Sequence, residues 1–374
     1  MKRLMAVCMI WASLATVLVA ETEVVNGVTW NYQIVKGEAV ISAPAIPETT
    51  QGAITIPEFL GGLPVTAIDH NAFTGCRALK TIDLPSTVKS IGDRVFFGCK
   101  TLESVTLPEG VAALGEEVFK DCPRLTTLHL PASISNLAPT TFARSAITTL
   151  TIDERNPHYR LIAPFICSKD GTQWLGIWGS PTTLRTPPCV TAIAVATLSE
   201  SSATSISLSA SVTAIATGAF GNCATLQSIH VDDANPVYAS KNGLLLSKDG
   251  KTLLAIPGGL KIARIPDGVT TIGSRVSWGD SEQRSVLVPK SVTTICAFAF
   301  CAQPRPDLLF EGKPPTIHEQ SLGFPWLWYC DEMANAWERQ MVEGKLHHPA
   351  FKIGDNNKDG KVDWNDWLDD PANK

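Results

Sequence analysis

The chain has 374 residues, 44% of them hydrophobic and 18% charged, enough apolar material for a sizeable core. Its formal charge is −5, from 31 Lys and Arg against 36 Asp and Glu, and no basic cluster interrupts it. That balance argues against a nucleic-acid partner or an anionic lipid surface.

The N-terminus opens with Met1-Lys2-Arg3, continues as a mostly apolar run to Ala20 and meets Glu21. A basic start, a short apolar stretch and a small residue at the end read as a signal peptide over residues 1–20. A retained membrane anchor is the alternative. Cleavage after Ala20 is expected, with Ala15 as the other choice; Met5-Ala6-Val7 before Cys8 fits a lipoprotein signal badly. Loss of Lys2 and Arg3 takes the mature charge from −5 to −7. No later apolar run is long enough to span a bilayer.

Residues 21–52 read as an N-terminal β cap. Trp30, Tyr32 and Ile34 alternate with polar residues, Lys36-Gly37 turns the chain, and Ala39-Val40-Ile41 returns as a hairpin strand. A stacked array needs such a cap to close its open edge.

From here a period of 23 takes over. Leu79, Leu102 and Leu125 repeat at that spacing, as do Phe73, Phe96, Phe119 and Phe142, then Cys76, Cys99 and Cys122, then Pro85, Pro108 and Pro131. A fixed period in the 20s with leucine at its corners predicts a repeat solenoid, mainly β, of 22–23-residue coils. Ile82 and Leu84 alternate with Thr81 and Asp83 as a half-buried strand, and Pro85 ends the ladder because it has no N–H. Val88 and Ile91 form a second apolar corner, with Gly92 expected to permit a turn. Val95, Phe96 and Cys99 suit one short helical or 3-10 turn facing inward. Corners of this kind start at Ile68, Ile91, Leu114, Leu137, Ile193, Ile215, Ile272 and Ile295. Leu198 replaces the corner aromatic once; Ser277 followed by Trp278 departs further.

These motifs resemble the BspA-like leucine-rich repeat family of bacterial surface proteins, whose unit reads roughly L-x-x-[IV]-x-[IL]-P-x-x-V-x-x-I-G-x-x-A-F-x-x-C. Leu102–Cys122, Val212–Val231 and Ile265–Gly273 carry the match. The resemblance implies a right-handed solenoid over residues 53–317. It also implies a non-catalytic, secreted or cell-surface scaffold that binds a protein or glycan (adhesion or interaction).

A longer repeat lies within the array. Asn156-Pro157-x-Tyr159 with Ser168-Lys169-Asp170-Gly171 returns 79 residues on as Asn235-Pro236-x-Tyr238 with Ser247-Lys248-Asp249-Gly250. Asp-Gly between apolar runs reads as a hairpin, so β-hairpin extensions are expected near 153–180 and 232–257. Such extensions are one place for binding surface.

Nine cysteines remain after residue 20. Those at equivalent repeat positions, joined by Cys223, are expected as buried thiols, because parallel Cβ vectors suit disulfide geometry poorly. Cys296, Cys301 and Cys330 could pair among themselves in an exported protein; the sequence does not choose.

Phe310–Pro315 reads as the closing strand. Residues 318–350 are expected as a C-terminal cap with a short helix over Asp331–Gly344, presenting Met333, Trp337 and Met341 on one face. Residues 351–374 read as a calcium-loop tail. Asp355, Asn357, Asp359, Lys361 (through its carbonyl), Asp363 and Asp366 fall where a twelve-residue calcium loop places oxygen donors, with Gly360 at the turn. The pattern resembles half of a dockerin. That implies the alternative role: an accessory component of an extracellular polysaccharide-degrading complex, docked through this segment.

No nucleophile–base motif, zinc-binding helix motif or phosphate loop is present. The remaining candidate is a polar row on the outward strand face: Asp83, Thr106, His129, Thr151 and His230.

Overall fold

The computed structural model describes residues 20–317, apart from 48, 284, 305 and 314, together with residues 327–329 and 350–352. It is a mainly β solenoid of about 12 turns, with no helix among the described residues.

The cap is a three-stranded antiparallel meander, Ala20–Val25, Val28–Val35 and Glu38–Ile41. Its two turns, Asn26-Gly27 and Lys36-Gly37, each hold both residues at positive φ, the twist a two-residue hairpin needs. Trp30 and Tyr32 are buried, and Trp30 meets Phe73 edge-on at 6.3 Å. Glu38–Ile41 then pairs in parallel with Leu63–Ile68, so the cap shares a sheet with the first coil.

Each coil contributes a strand to two long faces. On one face lie strands of three to five residues, such as Leu79–Asp83 and Ser104–Thr106, paired in parallel as Ile82↔Val105 and Asp83↔Thr106. On the other lie two-residue strands, Ser90–Ile91, Ala113–Leu114 and Asn136–Leu137, at the same register. All eight expected Ile or Leu corners occupy this short-strand face. Between the faces runs the core. Phe73, Phe96, Phe119 and Phe142 stack at 5.6, 5.8 and 6.1 Å between centroids.

The expected helical turn at the corner does not form. Phe73 N–H donates to Val95 O, Gly75 to Phe97 O, Arg94 to Glu116 O, Phe96 to Val118 O and Gly98 to Lys120 O. Alternate corner N–H groups therefore reach the next coil, and only single i→i+3 bonds such as Cys99 N–H to Phe96 O close along the chain. A helix cannot propagate when every second donor points sideways. Two left-handed residues bracket six of the eight corners: Asn71 and Gly75, Arg94 and Gly98, Glu117 and Asp121, Ala196 and Glu200, Gly218 and Asn222, Arg275 and Gly279.

Gly92 has another role than the expected turn. Its φ is not in the left-handed region; instead an added Cβ would lie 2.8 Å from His70 N. Gly115 stands likewise over Gly92, with Gly92 C at 2.7 Å. Glycine here lets one coil's backbone rest on the previous one.

The two extensions are three-stranded meanders, Tyr159–Ile162, Phe165–Ser168 and Gln173–Ile177, then Tyr238–Lys241, Leu244–Ser247 and Thr252–Ala255. Each third strand rejoins the short-strand face, as Trp174↔Ile193 and Leu253↔Ile272. Each begins with a buried asparagine. Asn156 Nδ2 donates to Ala132 O and Ile134 O, while its Oδ1 accepts from His158 and Tyr159 N–H. Asn235 repeats this with Ser209 O, Val212 O and the N–H groups of Val237 and Tyr238. Tyr159 and Tyr238 hydroxyls then accept the N–H groups of Leu137 and Ile215. The N-P-x-Y motif thus satisfies backbone groups where the coil-to-coil ladder is interrupted.

The array runs on past Phe310. Asp307–Phe310 pairs with Leu327–Tyr329, and that strand with Ala350–Lys352, so the expected closing strand is internal to its sheet. Phe351 and Lys352, read as part of the tail, belong to that last strand. The expected helix at 331–344 lies outside the described residues.

The two glycine roles are separable. Gly92→Ala, facing a backbone atom at 2.8 Å, should cost more than about 1 kcal/mol in chemical denaturation. Gly98→Asn, at φ 71 with open space around it, should cost only a few tenths. Equal losses would contradict the close-approach role.

Candidate functional site

Regular strand registry makes the long-strand face a ruled surface. Thr55, Asp83 and Thr106 are direct partners across three strands, and His129 pairs with Thr151. Asp83, Thr106, His129 and Thr151 are all exposed. A second row, Ser104, Thr127 and Thr149, runs parallel to it, because side chains two apart share a face. His129 Nδ1 lies 3.0 Å from Thr151 Oγ1. Beyond Thr151, the Arg155 side chain hydrogen-bonds Asp153 and holds its carboxyl down at about 2. Arg155 also reaches Glu109 at 3.4 Å. The result is a hydroxyl-rich strip ending in a cluster of charge.

His230 is not part of that strip. It pairs with Ser207 in a separate sheet, Thr183–Arg185, Ser205–Leu208 and Ser228–Val231, beyond the first extension. There the row reads Arg185, Ser207, His230. The five expected residues therefore divide three ways: Asp83 and Thr106 in one sheet, His129 and Thr151 in the adjoining two-stranded sheet, and His230 in a second patch beyond the first extension.

The extensions' Lys-Asp-Gly turns are closed on themselves. Asp170 Oδ1 accepts from Ser168 Oγ, Thr172 N–H and Thr172 Oγ1, and Lys169 Nζ donates to Glu154 O. Asp249 and Lys248 repeat the pattern with Ser247, Lys251 N–H and Asp233 O. These side chains fix the turn.

Cys99, Cys122 and Cys223 are buried free thiols, and Cys76 is buried at the equivalent position. Cys99 Sγ lies 3.2 Å from Phe73 O and Cys122 Sγ 2.9 Å from Phe96 O, so each thiol donates to the preceding coil. Burial pushes Cys122 up to about 11, away from thiolate chemistry. Cys296 is free and Cys301 Sγ lies 3.5 Å from Phe298 O; Cys330 lies outside the described residues. So do the expected calcium ligands Asp355, Asn357, Asp359, Lys361, Asp363 and Asp366. Among the described residues no group of three His, Cys, Asp or Glu side chains is arranged to hold a metal.

One cluster had no sequence signal. Glu117 is nearly buried and receives Arg94 Nε at 2.5 Å and Lys120 Nζ at 2.6 Å. Lys120 also pairs with Glu200, on a coil far along the chain. Burial pushes the Glu117 carboxyl up, but hydrogen bonds from Lys120 and Arg94 outweigh it and hold the group below its ordinary value.

A family model described as BspA type leucine rich repeat region matches residues 53–159 and 180–241 in six copies. No curated protein matches the chain. Among solved structures, the pneumococcal vaccine antigen PcpA is similar at 16% identity over 90% of this chain and 99% of that chain, with TM-score 0.47. A leucine-rich repeat protein from Eubacterium ventriosum shares 16% identity over 76% of this chain and 88% of that chain, with TM-score 0.40. A leucine rich cell surface protein from Faecalibacterium prausnitzii shares 18% over 78% and 95%, with TM-score 0.32.

The Glu117 cluster has a pH signature. A carboxyl with a depressed folded value contributes stability above its unfolded value near 4.5, and loses it as pH falls through the folded value. Glu117→Gln should cost about 1–2 kcal/mol at pH 7. That gap should shrink in acid melts below pH 4.5, whereas a pH-independent gap would rule out the ion-pair role.

Proposed function

We propose that this protein is an exported, non-catalytic scaffold at the bacterial cell exterior that binds a protein or glycan through its long-strand face. The observation that carries the reading is the strip of exposed side chains Asp83, Thr106, His129 and Thr151, paired as Asp83↔Thr106 and His129↔Thr151 on adjoining strands. Short polar side chains at strand spacing offer many donors and acceptors with little side-chain entropy to lose on binding. The leader over residues 1–20 supports export. No helix among the described residues is long and apolar enough to cross a membrane.

The test is binding of the mature chain to glycan arrays and to host, matrix and cell-wall preparations. Thr106→Glu/His129→Glu should weaken any saturable binding at least about tenfold, the cost of burying unpaired charge in a polar contact. Lys89→Glu, exposed on the short-strand side, should leave it unchanged. Loss in both variants would move the site off the strip.

We further propose that the tail takes calcium through Asp355, Asn357, Asp359, the Lys361 carbonyl, Asp363 and Asp366. The donor spacing supports this, and Asp366, one methylene shorter than glutamate, points to modest affinity. Docking into a polysaccharide-degrading complex is the second reading, resting on the dockerin-like spacing alone. Calorimetric titration should give one calcium per chain, abolished in Asp355→Ala/Asp359→Ala. Absence of heat and of any melting shift would remove both the metal and the docking reading.

A further inference from the structure

The corner at Ser277-Trp278 breaks the repeat, and a cavity opens beside it. Where other corners bury Phe96, Phe119 or Leu198, this one buries Ser277, whose hydroxyl donates to Gln283 Oε1. Gln283 Nε2 in turn donates to Pro257 O, so the polar pair is satisfied internally. The aromatic is displaced by one residue to Trp278, which is only half-buried and lies over the preceding coil. Its seat is made of glycine. A Cβ on Gly221 would stand 2.2 Å from Trp278 Cε3, and one on Gly218 would stand 3.3 Å away. Earlier coils carry Phe97, Lys120 or Ser199 at the position of Gly221.

The cavity between this corner, the corner at Ile215–Gly221 and the third strand of the second extension has a volume of about 280 Å³. The first extension has the matching junction almost closed. That junction, lined by Pro139, Phe142, Thr197 and Leu198, holds about 10 Å³.

The chemistry of the lining is unequal. Leu245, Leu254, Ala255, Phe220 and Val276 make apolar walls. Arg275 is the one formal charge among the lining residues. Its guanidinium lies over the Trp278 ring at 5.4 Å, and no carboxylate pairs with it among the described residues. The same corner position in an earlier coil is Arg94, which is bound to Glu117. An exposed cation held on an aromatic face at the edge of an apolar cavity suits an anion with an apolar body. A sugar would want carboxamide or carboxylate partners, and the lining has none.

We propose that this cavity binds a small organic carboxylate, its apolar body inside and its carboxylate on Arg275. The volume equals the share of about nine water molecules, which limits the body to about ten heavy atoms. The proposal is independent of the long-strand strip, which lies on another face of the coils.

Saturation-transfer NMR and calorimetry on the mature chain, with 3-phenylpropionate as probe, test it. Binding is expected for the carboxylate, with Arg275→Gln or the neutral 3-phenylpropionamide each weakening it about tenfold or more, the contribution of a charge-assisted pair. Ala255→Phe should abolish binding by filling the cavity without lowering the melting temperature. If that variant unfolds, the Arg275→Gln and amide arms decide alone. No binding at millimolar probe, equal affinity in Arg275→Gln, or N-acetylglucosamine binding in place of the carboxylate would each overturn the assignment.

Discussion

The structure depends on the hydrogen bonds between successive coils. Strand pairs such as Asp83↔Thr106 and Ala113↔Asn136 set a register of 23 residues, and corner pairs such as Phe96 N–H to Val118 O repeat it on the third side. Once that register is fixed, like residues must meet like residues. The phenylalanine stack and the thiol column are consequences of it, as is the exposed strip of threonines and histidine. No coil has a complete set of backbone partners alone, so a single coil is not a folding unit. The cap at one end is a requirement of the same kind: Glu38–Ile41 supplies the first coil with a neighbour.

The extensions show how such an array tolerates an interruption. An inserted meander removes one coil's worth of ladder, leaving donors such as the N–H groups of Leu137 and Ile215 without a coil to receive them. The two buried asparagines and two tyrosine hydroxyls meet that need with four bonds from each Asn and one accepted N–H at each Tyr. A buried amide that makes all its bonds is tolerated where an unsatisfied one would cost a large fraction of the protein's stability. The Asp170 and Asp249 turns, being closed on themselves, add rigidity to the meanders but leave few groups for a partner. The long-strand strip, by contrast, directs its hydroxyls outward from a rigid frame.

Periodicity made most of this legible. Two-residue strands are nearly invisible to local propensity, yet the Ile91, Leu114 and Leu137 corners were readable because they recur. Three features were not. The helical corner followed from spacing that suits a turn, but spacing alone does not say whether an N–H points along the coil or across it. Gly92 looked like a turn residue because glycine serves both left-handed backbone and close approach, and only the distance to His70 N separates the two. The Lys120–Glu200 pair spans 80 residues, a separation that no local pattern encodes. For the candidate strip, the sequence identified the right strand positions. It could not say that the first extension separates His230 from the other four.

A repeat that perfectly obeyed its own register would have no cavity, since every core position would be filled by the residue that fills it in the neighbouring coil. Specific sites in such a protein must therefore sit where the repeat is broken or where it faces water. Both kinds occur here. The strip of Asp83, Thr106, His129 and Thr151 is regular, extended and open, a geometry that suits recognition of a large partner by many weak contacts. The Ser277-Trp278 corner is irregular and concave, with the aromatic moved outward onto two glycines beside a cavity walled by Leu245 and Leu254. Leaving that volume unfilled costs packing energy, roughly in proportion to its size. The same corner keeps Ser277 and Gln283 satisfied inside and holds Arg275 on Trp278 outside. Three coordinated departures at one corner, all consistent with a cavity that has an apolar floor and a cationic edge, are harder to attribute to drift than a single missing aromatic would be.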